Sequence, residues 1–131
     1  MKRTPPALRL YPASSSSALA PSMSCAMQSC VFEAKASGNG FLAVVGRDAK
    51  GVVTIYHPYD GTAAAPYQAS QPLLPGAVAL DDTLGREDVY ALFSEKPFEL
   101  DWAVRALKEG RSLPEAAPQG VSVGHTFFLK K

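Results

Sequence analysis

The stretch Leu73–Phe98, LLPGAVALDDTLGREDVYALFSEKPF, decides how this chain is read. Pro75-Gly76 opens it as a turn, and Ala77–Leu80 follows as a short strand. Asp81-Asp82-Thr83-Leu84-Gly85 is rich in turn residues. Asp88–Ser94 (DVYALFS) then alternates, with Val89, Ala91 and Phe93 on one face and Tyr90 and Leu92 on the other, which is the period of a strand. Pro97 ends it. Beyond Glu99, Leu100, Val104 and Leu107 recur at helical spacing with Ala103 beside them, so a helix is expected over residues 99–109, docked on the sheet by that stripe. Gly110 stands where a left-handed C-terminal cap belongs, with Lys108 and Arg111 near the negative end of the helix dipole. Trp102 falls off the apolar stripe.

Upstream, Cys30–Ala36 alternates between Cys30, Phe32, Ala34 and Ala36 on one side and Val31, Glu33 and Lys35 on the other. Ser37-Gly38-Asn39-Gly40 reads as a hairpin turn. Phe41–Gly46 (FLAVVG) is apolar on both faces, as a central strand must be. Arg47–Gly51 is a second turn, and Val52–His57 a third, β-branched strand, so a three-stranded meander is expected. Pro58 stops it. Tyr59–Pro72 reads as a long loop packed on the sheet by Tyr59 and Tyr67. Ala7–Tyr11, set between prolines, fits an edge strand. Ser14–Ser17 is low complexity, and Ala18–Ser29 shows no period. Downstream, Leu113–Gly120 is a Pro-rich connection and Val121–Leu129 a closing strand.

Strand follows strand without a strand–helix–strand rhythm. The expected fold is mainly β, an antiparallel β-sandwich of about seven strands with one α-helix near residues 99–109. Residues 1–28 form an N-terminal edge strand and a Ser/Pro/Ala-rich segment, and residues 29–131 form the sandwich domain.

The 131 residues, 47% hydrophobic and 19% charged, suffice for one core. Thirteen basic against twelve acidic residues leave a net charge of +1. That balance supplies no field to hold a phosphate backbone, so nucleic acid is not the expected partner. No apolar run approaches the roughly 20 residues of a membrane span, and the chain is not expected to be membrane-embedded. Lys2-Arg3 and Ala18-Leu19-Ala20 imitate the ends of a signal peptide, but Pro5, Pro6, Arg9, Pro12 and four serines replace its apolar middle.

Chemistry-bearing residues are few. Asp81, Asp82, Glu87 and Asp88 place four carboxylates close together, but the sixth position from Asp81 is Arg86 where a calcium loop needs glycine. A solvated turn is the expected reading, with no metal. His57 and His125 are the two histidines, neither in a nucleophile context, and no phosphate-binding glycine loop or nucleophile elbow is present. No cofactor is expected. Cys25 and Cys30 lack nearby histidines for a zinc site; they read as a loop thiol and a small core residue, or as a disulfide if the chain between them turns back. Tyr56, His57, Tyr59, Asp60 and Tyr67 cluster in sequence as a candidate partner-binding surface, with core packing as the alternative.

The order Gly40–Gly46, Val53–Pro58, Leu74-Pro75-Gly76-Ala77-Val78-Ala79-Leu80-Asp81-Asp82, Gly85-Arg86-Glu87 and Leu92–Phe98 resembles an uncharacterised bacterial domain-of-unknown-function family. That family is found C-terminal in anti-sigma-factor-like chains, protein kinases and caspase-like peptidases of myxobacteria and relatives. The resemblance spans residues 29–131. It implies an all-β accessory module, usually non-catalytic and often outside the cytoplasm, and it carries over no catalytic residue.

The expected function is therefore a non-catalytic binding or sensor module of a bacterial regulatory or envelope-associated system, whose partner is a protein or a cell-envelope component. Two alternatives stand beside it. One is a structural subunit pairing with another copy through an edge strand. The other is a small hydrolase using His57 or His125 with a carboxylate such as Asp60.

Overall fold

The computed structural model describes residues 10–12, 22–26, 29–33, 36, 38–58, 61–68, 70, 78–79 and 85–130. In chain order its elements are β1 (Leu10–Pro12), β2 (Ser22–Ala26), β3 (Ser29–Glu33), β4 (Gly40–Arg47), β5 (Val53–His57), β6 (Ala65–Tyr67), β7 (Val78–Ala79), β8 (Gly85–Ser94), α1 (Asp101–Lys108), α2 (Leu113–Ala116) and β9 (Ser122–Lys130). The protein is mainly β. The larger sheet runs β1-β9-β8-β4-β5, with β6 also on β4; the smaller runs β2-β3-β7. Every pairing among the described residues is antiparallel.

β4 is the central strand that its double-sided apolar sequence demands. β8 holds one of its edges from Phe41 to Arg47. The other edge is shared end to end, with β6 against Gly40–Leu42 and β5 against Val44–Arg47. This occupancy corrects the expected meander. β3 finds no vacant edge on β4 and pairs with β2 and β7 instead, so Ser37–Gly40 joins two sheets rather than turning a hairpin. β7 likewise pairs with β3, not with β8, across the acidic segment. β2, β6 and α2 arise where no element was expected. α2 tolerates Pro114 because a proline in the first helical turn lacks only an N–H that would be unpaired anyway.

Both faces of the larger sheet are buried. On one face, Ala43, Val45 and Leu92 pack with Leu100, Ala103, Ala106 and Leu107 of the α1 region and Leu113 of α2. On the other, Leu42, Val44, Val89 and Ala91 are at most 1% exposed. Each leucine so buried contributes roughly 1.5–3 kcal/mol against the unfolded chain. α1 docks as expected through Leu100 and Leu107, but its inner surface is completed by Ala103 and Ala106. Val104 is only half-buried at the side of the helix. At 3.6 residues per turn Val104 falls to one side of the stripe formed by Leu100, Ala103, Ala106 and Leu107.

The end of α1 is a complete Schellman cap. Gly110 has φ 73°, its N–H donates to Leu107 O, and Arg111 N–H donates to Ala106 O. Arg47, from the end of β4, adds an Nη1 donor to Leu107 O at 3.2 Å, so a strand side chain ties the helix terminus to the sheet.

Candidate functional site

Two features outside the core hold chemistry. The first is the β5 edge and the groove beside it. β4 and β5 are joined through Asp48, whose Oδ1 accepts the N–H of Lys50 at 2.9 Å and of Val52 at 3.0 Å. Asp48 N–H in turn donates to Val52 O at 3.1 Å. That bond fixes the alternation of the ladder above it. Arg47–Val53 and Val45–Ile55 are non-hydrogen-bonded pairs, and Gly46–Thr54 between them is a hydrogen-bonded pair. Val53 and Ile55 therefore carry their N–H and C=O groups on the side away from β4. Beside this edge lies an apolar groove of about 570 Å³, lined by Ile55, Thr62, Leu100 and Val104. Asp101, Arg105, Lys108 and Glu109 give its rim both signs of charge. The loop at its end is held by Leu100 N–H on Thr62 O and Ala64 N–H on Phe98 O, each 3.0 Å.

The second feature lies on the helix-covered face, beyond the helix, where β8 and β9 carry Arg86, Asp88, Tyr90, His125 and Phe127. Strand alternation starting at Gly85 puts Arg86, Asp88 and Tyr90 on one face. Asp88 Oδ1 takes three donors: Arg86 Nη2 at 2.8 Å, Arg86 Nε at 3.1 Å and His125 Nε2 at 2.8 Å. The His125 ring stacks on Tyr90 at 4.5 Å between centroids, and the Arg86 guanidinium lies 3.8 Å over the Phe127 ring. Burial pushes the Asp88 carboxyl upward, but the hydrogen bonds from His125 and Arg86 and their positive charges outweigh it and hold it below the ordinary range. Burial, and then the Asp88 charge, push the Tyr90 hydroxyl upward. Asp88 thus stays ionised and Tyr90 stays protonated across the physiological range.

The residues expected from sequence divide differently. Tyr56 and Tyr67 are 8% and 4% exposed, so their rings pack the core rather than offering a partner surface. Tyr56 donates its hydroxyl proton to the Glu87 carboxylate. Tyr67 accepts a hydrogen bond from Ala36 N–H at 3.3 Å and meets Phe93 edge-on. His57 is half-buried, and that burial lowers its pKa. Tyr59, Asp60, Asp81 and Asp82 lie outside the described residues. The solvated acidic turn is corrected for Glu87, which is 3% exposed and faces away from Asp88 across the sheet, so these two carboxylates cannot converge on one ion. The backbone register sets Cys25 opposite Cys30.

The groove residues were missed because Ile55, Leu100 and Val104 carry no signal but apolarity. Arg86 and Tyr90 have a usable signal, the alternation Arg86-x-Asp88-x-Tyr90, hidden because the strand is expected to begin only at Asp88, whereas β8 begins at Gly85. No helix among the described residues is long and apolar enough to cross a membrane. No protein-family model, curated protein or solved structure matches the chain.

Proposed function

We propose that the chain is a non-catalytic binding module that takes up an extended segment of a protein partner along the outer edge of β5. One observation carries this reading: Val53 and Ile55 hold two pairs of backbone donors and acceptors outward beside an apolar groove. Outward strand groups are satisfied in register by another extended backbone. Every second side chain of such a segment would fall over the groove. An apolar residue suits Ile55, Leu100 and Val104, and polar neighbours of either charge suit the mixed rim.

Peptide ligands selected from a random display library test it. A selected peptide is titrated against wild type, Val104→Asp and Arg86→Ala, each first shown to unfold at the wild-type denaturant concentration. Binding weakened about tenfold or more by Val104→Asp and unchanged by Arg86→Ala supports the β5 groove. The reverse pattern moves the site to the β8–β9 face and overturns the assignment.

A second reading, a small hydrolase, draws on the 2.8 Å contact of His125 with Asp88, the arrangement by which a carboxylate orients a histidine base. The same Asp88 oxygen also serves Arg86, which ties the pair into an ion cluster rather than leaving it as a dedicated dyad. Hydrolysis of a panel of chromogenic esters by wild type, lost in His125→Gln, would favour the enzyme; equal background rates for both would remove it.

A further inference from the structure

The small sheet carries a juxtaposition unrelated to the groove. In the β2–β3 hairpin Ala26 is the partner of Ser29, so two residues separate the last paired positions. A two-residue connection has a hydrogen-bonded pair at its base, and antiparallel ladders alternate from there. The next pair, Cys25 and Cys30, is therefore non-hydrogen-bonded. Residues so paired have Cα atoms about 4.5 Å apart. Disulfides span Cα separations of roughly 4.4–6.8 Å, so this register places the two cysteines within bridging range without moving the backbone. A slip of one residue would set Cys25 against Ser29 or Val31 and lose the match.

We infer that Cys25 and Cys30 form an intrachain disulfide that staples β2 to β3. β3 is the middle strand of the small sheet and pairs through Cys30 and Ser29 with Val78 and Ala79 of β7. The bridge thus fixes the register of the strand on which the whole small sheet depends. It forms by exchange with a low-molecular-weight disulfide such as oxidised glutathione. One cysteine thiolate attacks a glutathione sulfur, making a mixed disulfide and releasing one glutathione thiolate. The other thiolate attacks the protein sulfur of that mixed disulfide and releases the second. Two protein thiols are oxidised, one small disulfide is reduced to two thiols, and both protons end on glutathione.

The full chain is equilibrated at graded ratios of oxidised to reduced glutathione, in buffer and in concentrated urea, then quenched with iodoacetamide and weighed intact. The expected product is a monomer two hydrogen atoms lighter than the reduced chain, with neither cysteine alkylated. Half-conversion in buffer should need about tenfold less oxidising a ratio than in urea, because the hairpin holds the cysteines in register. Cys25→Ser and Cys30→Ser should each stop at a single glutathione adduct. A wild-type chain that remains doubly alkylated, stops at mixed adducts, or closes at the same ratio folded and unfolded overturns the inference.

Discussion

His125 reaches diagonally across the β8–β9 ladder to Asp88, although its register partner is Tyr90 and that of Asp88 is Phe127. The diagonal leaves the imidazole stacked on Tyr90 while its Nε2 meets a carboxylate one pair away. Arg86 reaches the same oxygen from the other side, with its guanidinium on Phe127. A ring–ring stack and a cation–aromatic stack are thus tied together by a single acceptor atom.

That acceptor makes stability depend on acid. The Asp88 carboxyl is held below its unfolded value, so between the two values the unfolded chain binds more protons. The contribution is fully present above the unfolded value of about 3.9 and is lost as pH falls through the lower folded value. Asp88→Asn is expected to lower the urea midpoint at neutral pH, with the gap to wild type closing as pH falls through the lowered folded value. Midpoints measured from pH 7 to pH 2 decide it. A gap that stays constant would mean that the carboxylate charge does not matter.

The docking of α1 predicts an asymmetric pair. Leu107 is 1% exposed against the sheet, and Lys108 is exposed. Leu107→Ala should cost about 2–5 kcal/mol, and Lys108→Ala within about 0.5 kcal/mol of nothing. Chemical denaturation of both variants measures the difference. Equal midpoints would mean that the helix does not dock by this face.

What could be read from the chain was local, and what could not was competitive. The apolar FLAVVG run, the alternation of Val89, Ala91 and Phe93, and the Gly110 cap each depend on a few neighbouring residues, and each appears where its pattern puts it. Partner choice is different. Cys30–Glu33 and Phe41–Gly46 form a plausible hairpin in isolation. Only the presence of β8, β5 and β6 on the edges of β4 sends β3 elsewhere. Ala65-Pro66-Tyr67 has a proline and almost no β-formers, and pairs because β4 has edge to spare beyond β5. The Asp88–His125 contact joins residues 37 apart through a register that no short pattern encodes.

Close packing of the chain at Gly40 gives a steric prediction. A Cβ there would collide with the Ser94 backbone carbonyl and come within 2.8 Å of the Phe93 ring, whereas one at Gly38 would meet nothing within 4 Å. A backbone oxygen paired into β8 cannot swing aside. Gly40→Ala should therefore cost about 1–3 kcal/mol as an overpacking change, and Gly38→Ala should be close to neutral. Thermal or urea unfolding of the two variants separates them, and similar losses at both positions would contradict the packing of β4 against the end of β8.

The alternation along β5 makes the last prediction, and it bears on how a partner would bind. Thr54 stands in the hydrogen-bonded pair with Gly46, so its N–H faces inward to β4; the Val53 N–H faces outward. Proline removes an N–H at either site, but only Thr54→Pro breaks the ladder. It would leave the buried Gly46 carbonyl without its donor, a loss of about 1–3 kcal/mol before any strain in the strand. Val53→Pro keeps every bond to β4, and the preceding Val52 lies outside the strand and exposed, with room for the extended backbone that proline imposes on its neighbour. Its cost should stay within about 1.5 kcal/mol, chiefly from the smaller side chain. The two variants should then part in opposite ways. Thr54→Pro unfolds at much lower urea concentration, whereas Val53→Pro stays folded but loses affinity for a peptide selected on the wild-type chain, because the first outward donor is gone. If Val53→Pro binds that peptide as tightly as wild type, the segment does not add to this edge as a strand. Its affinity would then come from the groove between Ile55 and Val104 alone.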